Sequence, residues 1–345
     1  MANLRDRLNR INSINRIKRT HQNKTESKNC DEAKTDESYN VLLEQGWQQC
    51  GFKVFKREIN LTLPFGSLKS KKPIKPLPEF LSIIIPDLAN RDLPAPVIED
   101  FLFFDLETTG LSGGAGTVAF LAAFGRFADG KLVITQYLLL DYPGEHDFLN
   151  CVLQQLKTEN AVIVSYNGKC FDSQIIKTRF LMNRMKPPLY RHADLLHPTR
   201  RLWKTIIQDC SQSSVESNIL KIERTDDIPG SLAPEIWFEF LKTGATERLT
   251  GICDHNVSDI KGLAGILSAM ISIAESPFKT DKYNYDTERL ARSVYAYAYR
   301  QMLIGNYKEP LALIKLALNV LEPDTLWYDK LTRRKKYLER RISNN

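Results

Sequence analysis

The chain has 345 residues, of which 43% are hydrophobic and 26% are charged, and its formal net charge is +7. This length allows one large domain with smaller modules, or two domains, and the composition is ordinary for a globular protein. No run of 18 or more apolar residues occurs and the first 20 residues lack an apolar core, so we expect neither a membrane-spanning helix nor a secretory signal.

The six cysteines stand far apart and form no C-x-x-C pair. This spacing is typical of neither a disulfide framework nor a zinc site. We therefore interpret the cysteines as reduced thiols and expect a cytoplasmic protein. The net positive charge permits nucleic-acid binding without proving it.

The first 95 residues differ in composition from the rest of the chain. Basic residues outnumber acidic ones over 1–38, which predicts a basic flexible arm. This arm would either tether phosphate or a partner, or be a solvated, frayed terminus. Residues 39–95 are predicted to form a small N-terminal segment that includes a linker rich in lysine and proline, with a domain boundary near residue 95.

The stretch FLFFDLETTG, residues 101–110, runs from apolar residues into two acids. In a β-strand Asp105 and Glu107 share one face with Phe103, because side chains alternate. Apolar residues fill the other face, so the strand is predicted to lie in the middle of a sheet. Two carboxylates there are costly to bury without a partner. A divalent cation is one candidate, and the alternative is an acidic turn that caps the next element.

Further strands and helices follow the acidic strand. Apolar segments over 118–127 and 132–140 flank the turn signal Asp129-Gly130, which predicts an antiparallel meander. A helix, a short buried strand and a turn at Asn167 should come next, and then a helix that begins near Phe171. Asp172 falls in the first turn of that helix, where the helix dipole favours an anion and where an N-cap is the alternative role.

A basic-aromatic cluster lies within HADLLHPTRRLWK, residues 192–204. Arg200, Arg201 and Lys204 surround Trp203, and such a cluster can hold phosphate and stack a base.

Two other polar patterns receive structural interpretations. His192, Asp194 and His197 are expected to form hydrogen bonds rather than to bind metal. Ser213 and Glu216 have the spacing of a capping box, so a helix is expected to start at Ser213.

The last third of the chain is predicted to be helical. A long helix over 251–274 has a buried apolar stripe. His255 and Asp259 are four residues apart near its start, so they lie on one face. Residues 283–345 resemble one tetratricopeptide repeat around GNY at 305–307. A single repeat must pack on the rest of the chain or on a partner.

Four acids and one histidine, in this order and on these elements, resemble the DEDD-type 3′-5′ exonucleases. FDLETTG matches the first motif, NGKCFD the second, and the stretch from His255 to Asp259 the third. HADLLHPTRRLWK, the run from Asp227 to Gly230 and DHNVSD are similar to the YprB-like branch of bacterial exonucleases. The resemblance covers about residues 97–275.

The resemblance implies an α/β fold: a ribonuclease H-like mixed sheet flanked by helices over 96–276, plus a small all-α helical-repeat segment over 283–345. It implies hydrolysis of phosphodiester bonds with two Mg²⁺ or Mn²⁺ ions, for which hard oxygen ligands are suited. The metal ligands would be Asp105, Glu107, Asp172 and Asp259, and His255 would be the general base. The expected substrate-binding residues are Thr108 and Gly110 (through the backbone), Asn167, Lys169, Arg200, Arg201 and Lys204.

The position of the histidine departs from the common family pattern. The His class usually places its histidine five residues before the aspartate, whereas His255 has the four-residue spacing of the Tyr class. This spacing leaves its role as general base open.

Three functions remain alternatives at this point. By resemblance the substrate is DNA, in repair of damaged strands alongside a helicase that the C-terminal helices could dock. An RNA-processing exonuclease and an inactive scaffold that binds nucleic acid or a partner are the competitors. The presence of all four acids argues against the scaffold, whereas nothing in the sequence separates DNA from RNA.

Overall fold

A computed structural model describes residues 37–62, 78–89, 95–110, 114, 116–225, 227–279 and 282–344. Most of the predicted basic arm, residues 1–36, and the lysine- and proline-rich stretch 63–77 lie outside the described residues.

Seven strands form one mixed sheet in the order β1-β2-β5-β4-β3-β6-β7. The strands are β1 Gln48–Gly51, β2 Val54–Leu61, β3 Phe101–Thr108, β4 Ala119–Ala128, β5 Lys131–Leu139, β6 Val162–Ser165 and β7 Arg191–Asp194. The central strands β3, β4 and β5 are antiparallel neighbours, which confirms the predicted meander. In contrast, β6 runs parallel to β3, and β7 parallel to β6. The C-terminal ends of β3, β6 and β7 therefore meet at one end of the sheet.

Helices cover both faces of the sheet. The first, α1, spans residues 37–44. The others are α2 Leu81–Ile84, α3 Glu145–Leu156, α4 Asp172–Met182, α5 Leu196–Trp203, α6 Gln212–Val215, α7 Ala233–Thr243, α8 Glu247–Glu275, α9 Thr287–Leu303, α10 Lys308–Leu318 and α11 Leu326–Ser343, with a π-helical turn at Glu216–Leu220. Short 3-10 turns occur at Pro86–Leu88, Ile98–Asp100, Tyr142–Gly144 and Gly230–Leu232.

The alternation of side chains along β3 divides the apolar interior into two cores. Phe101 and Phe103 belong to the core beneath the C-terminal half of α8 and the helices after it. Leu102 and Phe104 belong to the core beneath α1, α3 and α7. A strand that is apolar on both faces belongs inside a sheet. The predicted α/β class, a ribonuclease H-like mixed sheet with flanking helices and further C-terminal helices, is confirmed.

The helix α8 contributes to both cores. Ile252 and Cys253 near its start pack in one core, and Ile260 and Met270 further along pack in the other. Among the described helices α8 is the one long and apolar enough to cross a membrane by length and composition, but 72% of the relevant window is buried inside the protein. We therefore interpret α8 as a core helix.

The sheet extends across the domain boundary predicted near residue 95. β2 pairs antiparallel with β5 from Val54 opposite Leu139 to Leu61 opposite Leu132. Residues of the predicted segment 39–95 thus form the edge of the main sheet, and the structure corrects that boundary. The backbone of β2 satisfies the hydrogen-bonding edge of β5, and this pairing between distant segments is not visible in local sequence.

The C-terminal helices α9, α10 and α11 pack on the rest of the protein. Leu290, Ile314, Leu331 and Leu338 are fully buried in the core that also holds Phe103. The predicted helical character of 283–345 is confirmed, whereas its assignment to a tetratricopeptide repeat stays a prediction.

The N-cap of α6 lies two residues earlier than the predicted cap at Ser213. Its N-cap is Ser211, whose hydroxyl accepts a hydrogen bond from the backbone N–H of Ser214 at 3.3 Å. Glu216 does not cap this helix; its side chain is buried and binds Arg224 at 2.6 Å. The predicted capping box at Ser213 and Glu216 is therefore wrong, because the charge of Arg224 outweighs the local pattern.

Candidate active site

The two acids of β3 lie beneath α8 at the C-terminal end of the strand. Glu107 is 8% exposed. One carboxylate oxygen of Asp105, Oδ2, accepts a hydrogen bond at 2.7 Å from the side-chain amide of Asn256 on α8. Because β3 alternates, both carboxylates face the same side as Phe103.

Asp172 lies at the start of α4, at the same end of the sheet. Its side chain is 7% exposed. The chain approaches it closely at Gly168, where a Cβ atom would stand 2.9 Å from Oδ2 of Asp172. Asp194 at the end of β7 holds this turn by accepting hydrogen bonds from the backbone N–H groups of Asn167 at 2.8 Å and Lys169 at 3.1 Å.

Two residues of α8 face these acids. His255 and Asp259 are one turn apart, and Nε2 of His255 lies 3.2 Å from Oδ2 of Asp259. One ligand atom each from Glu107, His255 and Asp259 lie within 4.8 Å of one another, a separation that a metal ion could bridge. The structure thus brings Glu107 of β3 together with His255 and Asp259 of α8, whereas Asp105 and Asp172 lie outside this group of ligand atoms.

The segment between the π-helical turn and α7 closes over α8. Oδ1 of Asp227 accepts a hydrogen bond from Nδ1 of His255 at 2.7 Å. Because Nε2 faces Asp259, both ring nitrogens of the histidine have carboxylate partners. Gly230 follows within the same segment, and a Cβ atom at this position would stand 2.9 Å from Nε2 of His255. Only a glycine allows the backbone to pass so close to the ring.

Arg224 joins this segment to the site. Its guanidinium donates two hydrogen bonds to Glu216, at 2.6 and 2.8 Å, one to Asp259 at 2.6 Å and one to Asp227 at 3.1 Å. The side chain of Glu216 is 2% exposed and that of Arg224 is 15% exposed. Sequence reasoning missed Arg224 and Glu216, and it noted Asp227 only as part of the run from Asp227 to Gly230.

The acids of β3 and α4 have raised pKa values. Burial raises the pKa of Asp105 well above its usual range, and the charges of Asp259, Asp172 and Glu107 raise it further. Burial, opposed in part by the charge of His255, raises the pKa of Glu107 to about 8. Burial together with the charges of Asp194 and Asp259 raises the pKa of Asp172 to about 7. In the described chain no basic side chain lies within 4.0 Å of these three carboxylates.

The acid and the histidine of α8 show the opposite balance. Burial opposes the ionised form of Asp259, but the hydrogen bond and charge of His255, together with Arg224, lower its pKa below the usual value. Burial likewise opposes protonation of His255, but Asp259, Asp227 and Glu107 raise its pKa to about 9. Ion pairing therefore outweighs burial on α8, whereas burial and repulsion dominate on β3 and α4.

The donor set fits a divalent cation. The charges of Asp259, Asp172 and Glu107 raise the pKa of Asp105, and the charge of Asp259 raises those of Glu107 and Asp172, so the four carboxyl groups lie within electrostatic reach of each other. Carboxylate oxygens are the ligands that Mg²⁺ and Mn²⁺ prefer. A cation among them would relieve the repulsion that raises three of their pKa values.

A buried chain of hydrogen bonds orients Asp105 from behind. The side-chain amide of Gln136 donates to Oδ1 of Asn256 at 2.7 Å and to the carbonyl of Cys253 at 2.8 Å, and its oxygen accepts from Arg57 at 2.6 Å. Because Gln136 can face only one way in this arrangement, Asn256 presents its N–H₂ group to Asp105. This leaves the other oxygen of Asp105 available to a metal ion.

The predicted substrate residues near the acids take part in local structure. The hydroxyl of Thr108 donates to the carbonyl of Gly110 at 2.9 Å, which ties the turn after β3. Asn167 is exposed and adopts a left-handed conformation with φ of 63°. The ammonium group of Lys169 pairs with Asp87 at 2.6 Å. Their contacts with substrate stay predictions.

The basic-aromatic cluster on α5 is arranged differently from the prediction. Trp203 is fully buried, and its indole N–H donates to the carbonyl of Asn284 at 3.0 Å. It cannot stack a base, so that expectation is wrong. Arg201 donates to the carbonyls of Ile83 and Ile84 at 3.2 and 2.7 Å and contacts α2 rather than the acids.

Arg200 and Lys204 are exposed on α5. No contact joins them to the acids among the described residues, and their role in guiding a strand stays a prediction.

His192 and Asp194 have the structural hydrogen bonds that the sequence predicts. The ring nitrogens of His192 lie 2.7 Å from the hydroxyl of Ser165 and 3.2 Å from that of Ser173. Burial, together with the charge of the nearby Lys169, lowers the pKa of His192 to about 4. His192 is therefore neutral near pH 7 and supports the turn before Asp172.

Comparison with known proteins gives a class for this fold and site. Residues 102–271 match the family model RNase_H_2, which is described as RNase H superfamily. This stretch contains the acids of β3, Asp172, His255 and Asp259. Residues 102–271 are therefore a domain of the ribonuclease H superfamily.

A more particular relative is YprB of Bacillus subtilis strain 168, described as an uncharacterized protein. The two are 38% identical over 170 residues, which cover 48% of this chain and 41% of YprB. Over this stretch the chain is similar to YprB, and it spans less than half of the length of that relative. A family B DNA polymerase from the archaeon Pyrobaculum calidifontis is similar with a TM-score of 0.42 and 11% identity, over 70% of this chain and 46% of the polymerase. Similarity at that level carries no argument about activity.

Proposed function

We propose that this protein is a metal-dependent 3′-5′ exonuclease that hydrolyses phosphodiester bonds of DNA. The observation that carries the proposal is the convergence of Asp105, Glu107, Asp172 and Asp259 from three elements. Three of these carboxyl groups have raised pKa values and no ion-pair partner in the described chain. An acidic cluster that the protein leaves uncompensated is the arrangement that divalent cations stabilise.

The residues have distinct tasks in this proposal. Asp105, Glu107, Asp172 and Asp259 would hold two Mg²⁺ or Mn²⁺ ions, which supply charge stabilisation and an activated water in phosphoryl transfer. His255 would accept the proton of the attacking water through Nε2, while Asp227 at 2.7 Å fixes the ring through Nδ1. For this, Nε2 has to exchange its present contact with Asp259, 3.2 Å away, for the water. His255 also has to lose the proton that its raised pKa of about 9 keeps on the ring near neutral pH, and cations that neutralise Asp259 and Glu107 would lower that pKa.

The finer parts of the proposal rest on the family resemblance. These are the 3′-5′ polarity, the preference for DNA, a role in DNA repair beside a helicase, the docking of that helicase on the C-terminal helices, and a cytoplasmic location. Thr108, Gly110, Asn167 and Lys169 lie on the two turns next to the acids, which is where the terminal nucleotide would bind.

The decisive experiment is a nuclease assay on end-labelled single- and double-stranded DNA and RNA. Wild type, Asp172→Asn and His255→Gln are compared in Mg²⁺, Mn²⁺ or EDTA. We expect laddering from the 3′ end that requires metal and is lost in Asp172→Asn. Glu159→Gln, at an exposed position, is the matched control and should cut like wild type.

Each other outcome selects an alternative. Faster cutting of RNA than of DNA would favour an RNA-processing exonuclease. Activity that survives in His255→Gln but not in Asp172→Asn would retain the metal site and remove the histidine from the role of base. Full metal-dependent activity in Asp172→Asn would refute the assignment. Binding without cutting on every substrate would favour the scaffold.

A further inference from the structure

The outer side of the C-terminal helices is strongly basic. Over Leu326–Ser343, α11 carries seven lysines and arginines against two acids, whereas the whole chain has a net charge of +7. Leu331 and Leu338 turn inward and are fully buried, so the polar side faces solvent. Six residues of α9 and α11 form a surface that is distinct from the basic-aromatic cluster on α5. We call it the basic-aromatic face, and its residues are Arg292, Tyr295, Tyr299, Trp327, Lys330 and Arg334.

Cations and rings alternate on the basic-aromatic face. The guanidinium of Arg334 lies 4.4 Å from the ring centroid of Tyr295 and 5.5 Å from that of Tyr299. Lys330 and Arg292 lie 4.6 and 5.9 Å from the ring of Trp327. Stacking on a ring orders a guanidinium but leaves N–H donors for an anion.

The cations of this face form no ion pair with the described residues of the protein. Within the described ranges, no carboxylate lies within 4.0 Å of Arg292, Lys330 or Arg334. Burial lowers the pKa of Arg201 on the adjoining α5, and the charges of Arg300 and Arg292 on α9 lower it further. The protein thus places several arginines close together although their positive charges repel one another. Their combined positive field attracts a polyanion.

The aromatic rings select one class of polyanion. Tyr299 is 52% exposed, so one side of its ring is open to a stacking partner. Phosphates with flat, unpaired bases would use both the cations and the rings, whereas an acidic peptide would use the cations alone. α9 also adjoins the exposed Arg200 of α5, whose carbonyl accepts from Arg289 at 3.5 Å. The two basic regions therefore lie side by side.

We propose that the basic-aromatic face binds single-stranded nucleic acid, with phosphates on Lys330 and Arg334 and a base stacked on Tyr299. The inference deepens the proposed function, because it assigns a second contact region to the strand that the acidic site would cut. DNA and RNA single strands share the chemistry that this face recognises.

The test is fluorescence anisotropy with a labelled single strand of mixed sequence, as DNA and as RNA, and with the matching duplex, using the full chain in EDTA. The charge variant is Lys330→Gln with Arg334→Gln, the stacking variant is Tyr299→Ala, and the control is Lys131→Gln with Lys186→Gln. The control removes the same charge at exposed positions elsewhere.

We expect the charge variant to bind at least about tenfold more weakly and to lower the slope of log affinity against log salt by roughly 2, one for each phosphate contact. The stacking variant should weaken single-strand binding about fivefold or more and leave duplex binding nearly unchanged. The control should retain wild-type binding.

Equal loss in the control and the charge variant would overturn the proposal, because net charge alone would then explain binding. A labelled polyglutamate peptide that binds as tightly as the oligonucleotide, with no effect of Tyr299→Ala, would also overturn it in favour of an acidic protein partner. EDTA prevents cutting, so the binding result is independent of the nuclease. Intact binding without metal-dependent cutting would refute the proposed function and leave this inference standing.

Discussion

The acidic site has two halves that differ in what balances their charge. On β3 and α4, Asp105, Glu107 and Asp172 face one another without an ion-pair partner in the described chain, and their pKa values are raised. On α8, Asp259 contacts both His255 and Arg224 and its pKa is lowered. The protein therefore supplies cations directly to the half on α8, whereas on β3 and α4 only the nearby His255 partly offsets the charge of Glu107, and most of the repulsion is left for an external cation to relieve.

This difference suggests separate tasks for the two halves: one attracts the metal ion, and the other holds the catalytic side chains in place. The uncompensated half gains most from a metal ion, because burial and repulsion are relieved together. The compensated half is ordered before any metal binds, since Arg224 and Asp227 fix Asp259 and His255 by charged hydrogen bonds. Substitutions in the two halves should therefore have different effects on activity and on stability.

The largest effect is expected in the uncompensated half. Asp105→Asn removes one metal ligand while the hydrogen bond with Asn256 can persist, so the metal-dependent nuclease rate should fall by at least about 10³-fold, equivalent to several kcal/mol. Without metal the variant should unfold at the same temperature as wild type or a higher one, because it lacks the buried carboxyl group that the neighbouring carboxylates repel. Glu247→Gln, at an exposed position on α8, is the control. Intact activity of Asp105→Asn would contradict the assignment of Asp105 as a metal ligand.

The compensated half should respond in stability. Arg224→Gln leaves Glu216, 2% exposed, without its ion pair, and loss of one member of a buried pair costs about 3–5 kcal/mol. Urea denaturation in EDTA measures this loss. The double variant Arg224→Met with Glu216→Leu should recover much of it, because no buried charge remains unpaired. If both variants are equally unstable, packing rather than charge explains the loss.

A smaller effect is expected at the link between the halves. Asp227→Asn keeps the shape of the side chain but weakens its hold on His255, so the catalytic rate should fall about 10- to 100-fold. NMR titration of the metal-free variant should place the pKa of His255 below the value of about 9 that the folded protein gives it. An unchanged histidine pKa together with a reduced rate would show that Asp227 acts in another way.

The smallest effect concerns pH and the uncompensated half. The pKa of Glu107 is raised to about 8, above its value in the unfolded chain, so the folded protein binds this proton more tightly. The free energy of unfolding therefore falls as the pH rises from about 5 to about 8. In EDTA, the Tm of Glu107→Gln should exceed that of wild type, and this difference should grow by a few °C as the pH rises from about 5 to about 8. Added Mg²⁺ should reduce the difference in Tm. A gap independent of pH would contradict the assignment.

The sequence predicted the acidic strand and the helical pair well, because both depend on local periodicity. Asp105 and Glu107 share a face of β3, and His255 stands one turn before Asp259 on α8, as the spacing of two and of four residues predicts. The meander after β3 follows from the turn signal at Asp129. The position of Asp172 at the start of α4 was also readable from the sequence.

Interactions between distant segments were not predictable from the sequence. Arg224 meets Asp259 only because the segment around Asp227 folds over α8, and the pairing of β2 with β5 joins stretches about 80 residues apart. Trp203 was misread because the burial of α5 against Asn284 cannot be seen in a short basic stretch. These contacts depend on tertiary packing, which overrides local composition.

The membership of α8 in both cores has a consequence for cooperativity. Its start packs in one core and its later turns in the other, with His255 and Asp259 between them. Loosening of either core would therefore disturb the same helix, and its amides should exchange with solvent only on global opening. Because a ligand that binds only the folded state shifts the folding equilibrium, a cation held at Asp259 would protect both cores against proteolysis at once.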